Sequence, residues 1–182
     1  MTHSKLRSMA ECAIFAAILC MLSPVGIKIG PVPITLASFA VMLCGVVLDW
    51  KRALISVFVY LALGLFLPVF SGGHTGVTAL PGPTGGYIWS FLLMIPIIRG
   101  FAGAPVRHRA TLYLTAFIGC AVATALCYLC GTLQYAALSG KTISEVIAVC
   151  VLPFIVPDMI KAVVASVLGV TVREILKTAG LL

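Results

Sequence analysis

The chain has 182 residues, of which 62% are hydrophobic and only 9% charged, with a formal net charge of +7 and a mean hydropathy of +1.19. Soluble domains carry roughly 25% charged residues, so this composition excludes a soluble globular domain and predicts an all-α integral membrane protein, residues 1–182 forming a single membrane domain. At about 20 residues per crossing the length accommodates six transmembrane helices and no ATPase domain, so energy for any transport has to come from a gradient or a partner.

The first predicted span covers about residues 9–22 and follows Lys5 and Arg7. It has the basic start and apolar middle of a signal peptide, but no small-x-small cleavage site follows, and it reads as a retained helix. Ala10, Ala13, Ala17 and Cys20 recur at spacings of three, four and three. Such a small-residue stripe lets another helix approach closely, either inside the bundle or from another membrane protein. Glu11, one turn beyond Arg7, reads as an interfacial residue. A Pro/Gly-rich loop at 24–33 leads to the second span, 34–48, which stops at Asp49-Trp50-Lys51-Arg52. The third, 53–66, stops before Pro68.

Residues 71–87 read Ser-Gly-Gly-His-Thr-Gly-Val-Thr-Ala-Leu-Pro-Gly-Pro-Thr-Gly-Gly-Tyr. The GK[ST] ending of a phosphate loop is absent. Glycines such as Gly73 let backbone approach a ligand, His74 and Thr75 add side-chain donors, and Tyr87 opens the fourth span with a ring and a hydroxyl. Composition alone leaves a linker and a binding loop equally open. The fourth span, 87–101, contains Pro96 and ends near an interfacial Arg99; the fifth covers 111–133. Cys127 and Cys130 have CxxC spacing, but no second ligand pair lies nearby, so these thiols read as small buried hydrophobes and no metal site is expected.

The sixth span, 147–170, is interrupted by Pro153 and Pro157. It lies in an apolar run from Ile143 to Thr171 whose charges are Glu145, Asp158 and Lys161. Charges in hydrocarbon cost kilocalories each and persist where they pair or bind something. Asp158 and Lys161, at i and i+3, share a helix face, and Lys161 stands about 18 Å along the helix from Arg173. Pro157 is expected to open the helix locally, with Asp158 just after the break at the positive end of a new helix. Both a structural ion pair and a polar ligand site satisfy this pattern. No Ser-His-Asp set, HExxH helix or paired carboxylates appear, so neither a catalytic constellation nor an enzyme is expected.

Charge asymmetry orients the spans. With the N-terminus inside, one side collects Lys5, Arg7, Lys51, Arg52, Arg99, Arg107, Arg109, Arg173 and Lys177, and the other has Lys28 and Lys141. This positive-inside pattern places both termini in the cytoplasm. It accounts for the net charge without nucleic-acid binding, and it puts both long Pro/Gly-rich loops outside.

Four segments together resemble the BioY family, the biotin-binding S component of energy-coupling-factor (ECF) transporters: Pro31-Val-Pro-Ile-Thr-Leu36, Leu63-Gly-Leu-Phe-Leu-Pro-Val-Phe-Ser-Gly-Gly73, Gly82-Pro-Thr-Gly-Gly-Tyr87 and Pro157-Asp-Met-Ile-Lys161. Their order and spacing fit over nearly the whole chain. The resemblance implies a six-helix S-component bundle in a prokaryotic plasma membrane, with biotin as ligand, no cofactor and a pocket near the outer face. It implies that Asp158 and Lys161 recognise the ureido head of biotin, the carboxylate accepting from N–H and the ammonium donating to the carbonyl oxygen. Thr35, Gly73, His74, Thr75 and Tyr87, from the matching segments and the loop they bound, are the other implied contacts. Some family members place an arginine directly after this tyrosine, where this chain has Ile88, and some carry larger amides where it has Ala37 and Ser38. Ala13 and Ala17 match an alanine motif that contacts a transmembrane T component, with ATP hydrolysed by paired ATPases bound to that partner. The alternative is a solitary, oligomeric biotin carrier working without them.

Overall fold

The computed structural model describes residues 3–29, 32–104 and 108–180; Pro31 of the first matching segment and Arg107 lie outside them. In chain order these residues form α1 (His3–Leu22), β1 (Gly26–Ile29), β2 (Val32–Thr35), α2 (Ala37–Val47), α3 (Trp50–Phe66), a 3-10 turn (Ser71–Gly73), a one-turn α4 (Gly76–Ala79), α5 (Gly85–Ala102), α6 (Arg109–Ser139), α7 (Ile143–Cys150) and α8 (Leu152–Thr178). The fold is mostly helical. Among the described residues, three helices, α5, α6 and α8, are long and apolar enough to cross a membrane.

The remaining helices depart from the predicted spans for local reasons. α1 is 20 residues long but carries Lys5, Arg7 and Glu11. α2 has only 11 residues, because the chain before it is extended: Val32–Thr35 pairs antiparallel with Gly26–Ile29, in the register Gly26 to Thr35 and Ile29 to Val32. The hairpin takes up β-branched residues that the apolar run had suggested were helical. What α2 lacks in length it offsets in burial. Ala40, Val41, Met42, Cys44 and Val46 are all fully buried, as expected of a helix apolar on every side, and α8, α5 and α1 pack around it.

Small residues allow this close packing. Gly86 of α5 lies against the backbone of Cys130 and Gly131 in α6, and Gly131 lies under the Tyr87 ring, so a Cβ at either glycine would overlap its neighbour. Gly169 of α8 meets Val46 of α2 in the same way. Close backbone approach of this kind is how helices associate where lipid removes the hydrophobic drive.

The interruption before the last long helix is at Val151, which adopts φ −124° and ψ −55° between α7 and α8. Pro153 sits in the first turn of α8, where its missing N–H leaves no bond unmade. The helix continues through Pro157. The expected break at Pro157 is therefore displaced by six residues, and Asp158 lies well inside α8 rather than at a helix end, beyond the reach of the terminal dipole.

One end of the bundle gathers the hairpin, the connection between α3 and α5, and the α7–α8 junction. Gln134 donates to the Leu80 and Gly82 carbonyls at 2.8 and 3.0 Å, and the Tyr87 hydroxyl to the Cys150 carbonyl at 3.2 Å. The other end holds both ends of the described chain, Arg7 donating to the Gly180 carbonyl at 2.9 Å. There Glu11 accepts from Arg7 at 3.1 Å and from Arg52, and Arg52 also donates to Asp49 at 2.7 Å. Arg99 reaches the Val46 carbonyl at 3.4 Å and Arg173 the Ala102 carbonyl at 2.7 Å, so the charges at this end tie helix ends to one another.

Candidate functional site

Asp158 and Lys161 stand one turn apart on the face of α8 that meets α2 and α6, joined at 2.8 Å between Nζ and Oδ1. Their side chains keep 7% and 12% of their exposure. A pair this buried holds its charges only if the remaining protons and lone pairs also find partners, and neighbouring elements supply them. Lys161 Nζ donates to the Thr35 carbonyl at 2.7 Å and to Ser38 Oγ at 3.3 Å. Asp158 Oδ1 also accepts from Ser38 Oγ at 3.3 Å, and Oδ2 accepts from the Tyr128 hydroxyl at 2.7 Å. The C-terminus of β2 thus provides a carbonyl, the first turn of α2 a hydroxyl, and the middle of α6 a phenol.

This network forms one wall of a cavity at the loop-rich end, enclosing about 650 Å³ of open space, mouth included. Val32, Ile88, Phe91, Met94 and Phe154 make much of the remaining lining apolar, and Ser23, Tyr60, Ser71 and Thr124 add hydroxyls. Tyr60 and Ser23 satisfy one another at 2.6 Å, and the Tyr60 ring meets Phe70 edge-on, with centroids 5.4 Å apart. The arrangement can hold a compact neutral group with both N–H donors and a carbonyl acceptor against the charged wall, and an aliphatic body against the apolar one.

The residues singled out in the sequence fall into three places. Asp158, Lys161, Thr35 and Tyr87 line the cavity, Thr35 engaging Lys161 through its backbone carbonyl while its hydroxyl accepts from the Ala37 N–H at 3.3 Å. Gly73, His74 and Thr75 lie on the loop above and are not among the lining residues; Gly73 and His74 are exposed. Gly72 and Gly73, at φ 71° and 74°, reverse the chain there, the Phe70 N–H donating to the His74 carbonyl at 3.1 Å. The Thr75 carbonyl accepts from the N–H groups of Thr78 and Ala79. From the connection between α3 and α5, Ser71 and Thr84 line the cavity. Ala13 and Ala17 are exposed on α1, together with Ala10, while Cys12, Ala16 and Leu19 face inward.

One polar member of the wall, Tyr128, was not singled out beforehand, and Ser38 was noted only as standing where some family members carry a larger amide. Tyr128 lies between the CxxC cysteines in an otherwise apolar run. The available signal was its hydroxyl, since a buried phenol almost always finds a partner.

Comparison with known proteins gives a consistent result. Residues 1–178 match the model of the BioY family. A Pyrococcus horikoshii protein named "Probable biotin transporter BioY" is 37% identical over 166 residues, covering 91% of this chain and 95% of the relative. Biotin transporter BioY2 of Lactococcus lactis subsp. cremoris is 34% identical over 170 residues, covering 93% and 91%. The crystal structure of the S-component for biotin from an ECF-type ABC transporter superposes with a TM-score of 0.84 at 27% identity, covering 96% of this chain and 94% of that one.

Proposed function

The chain belongs to the BioY family, and from that premise and the geometry of its cavity we propose that it binds biotin and carries it across the membrane. The observation that carries the proposal is the buried Asp158–Lys161 pair on the wall of an otherwise largely apolar cavity. A ureido group offers N–H donors to the carboxylate and a carbonyl oxygen to the ammonium, so it satisfies both charges without adding one. The apolar wall of Phe91, Met94 and Phe154 suits the thiophane ring and valeryl chain. Tyr87 and Ser71, nearer the loops, face the carboxylate end, with His74, Thr75 and the Gly73 backbone above it at the mouth.

In this proposal the chain crosses the plasma membrane of a prokaryote six times. Both termini are cytoplasmic, as the basic residues at their end of the bundle favour, and the cavity end faces out. Uptake is driven by a T component and paired ATPases, the T component docking on the α1 face that carries Ala13 and Ala17, whose exposure leaves that face available to a partner.

A thermal-shift screen of the purified protein with biotin, desthiobiotin, riboflavin and thiamine tests the ligand assignment. Biotin and desthiobiotin, which share the ureido ring, are expected to raise the melting temperature, and the other two to leave it unchanged. Stabilisation by riboflavin or thiamine, or none by biotin, would overturn it.

A further inference from the structure

The bonds around the charged pair divide sharply by length. Three are short: Lys161 to the Thr35 carbonyl at 2.7 Å, Lys161 to Asp158 at 2.8 Å, and Tyr128 to Asp158 at 2.7 Å. Two are long, at 3.3 Å each, and both belong to one atom, Ser38 Oγ, which donates to Asp158 Oδ1 and accepts from Lys161 Nζ. Ammonium has three protons to give, and Thr35, Asp158 and Ser38 take all three. A ligand carbonyl can therefore reach a Lys161 proton only by displacing one of them. The two short bonds hold the lysine in place, so the weak one yields first.

Ser38 also makes, in miniature, the pair of contacts that a ureido group needs: a donor toward the carboxylate and an acceptor toward the ammonium. We propose that Ser38 is an affinity-setting residue whose hydroxyl competes with the ligand's ureido group for Asp158 and Lys161. Rotation about one side-chain bond is enough to release both contacts, and Ser38 sits in the first turn of α2, on the cavity lining, where the head group would arrive. Its hydroxyl keeps the pair partnered when the head group is elsewhere and makes way for it on entry. This inference rests on the assignment of biotin to the cavity.

Ser38→Ala removes the competitor and leaves the three short bonds intact. Calorimetry and stopped-flow binding on the purified protein should show biotin binding at least threefold tighter, on the order of one weak hydrogen bond, through faster association with an unchanged dissociation rate. Desthiobiotin should gain by the same factor, since it carries the same ureido ring. Ser38→Cys leaves no cavity and has a much weaker donor, and should behave as the alanine variant does, which guards against a packing defect. Unchanged or weaker biotin binding in both variants, or a gain confined to the dissociation rate, would overturn the competition. Absence of biotin binding by the unaltered protein would instead overturn the ligand assignment itself.

Discussion

Lys161 and Asp158 carry opposite charges into a region where each alone would be unaffordable, and their spacing of three residues made the pairing legible in the sequence. Their other partners were not legible in the same way. Thr35, Ser38 and Tyr128 come from 126, 123 and 30 residues away, and no local pattern marks a hydroxyl or carbonyl for a distant ion pair. Tyr128 lies between two cysteines of an apolar run, with nothing in the sequence to mark it, yet its phenol is the sole side-chain donor to Asp158 Oδ2 among the described residues. Tyr128→Phe leaves the ring in place and removes that bond. Hydrogen bonds to charged groups contribute about 1.5–3 kcal/mol, so the melting temperature in detergent should fall measurably; an unchanged value would mean that the carboxylate does not depend on this donor. His74 shows the converse difficulty. Its identity as a polar loop residue was plain, but the side it faces is set by two successive left-handed glycines and by the anchoring of Phe70 beneath Gly64 and Tyr60.

Among elements, α5 and α6 overlap the fourth and fifth hydrophobic runs, whereas the sixth, 147–170, begins in α7 and α8 continues past its end to Thr178. The departures are at Pro- and Gly-rich joints. The stretch 24–33 contributes to a hairpin, and the last apolar run divides at Val151, where Pro153 begins a helix instead of breaking one. α7 is separately capped: Glu145 Oε2 accepts from both the N–H and the hydroxyl of Thr142 at 2.9 Å. These bonds, the backbone one first, hold the Glu145 carboxyl below its ordinary range. A carboxyl depressed in the folded state stabilises above its unfolded pKa, and the contribution is lost as pH falls through the lowered value. The protection of amides in the first turn of α7, relative to their intrinsic exchange rate at each pH, should therefore fall below the ordinary glutamate range, and Glu145→Gln should abolish that loss. Equal protection at acidic and neutral pH would count against the cap.

For the whole molecule, the separation of a charged, helix-tying end from a loop-rich cavity end follows the distribution of Lys and Arg along the chain. Packing around α2 was harder to foresee, since a helix of only 11 residues is the most enclosed in the bundle. The outward face of α1 bears on the proposed coupling. Leucine at both Ala13 and Ala17 enlarges an exposed surface without entering the core, so biotin binding should persist while ATP-driven uptake in cells supplying the T component and ATPases is lost. Retained uptake and unchanged co-purification with the T component would remove this docking face. Uptake in cells lacking those partners would favour a solitary carrier.

The most direct test of the central claim is titration calorimetry of biotin into purified Asp158→Asn and Lys161→Met proteins. Each substitution preserves approximate size and removes one charge from the pair, and each should weaken biotin binding at least tenfold while the protein still inserts and folds. Affinity equal to that of the unaltered protein in both variants would contradict the assignment of the head group to this pair.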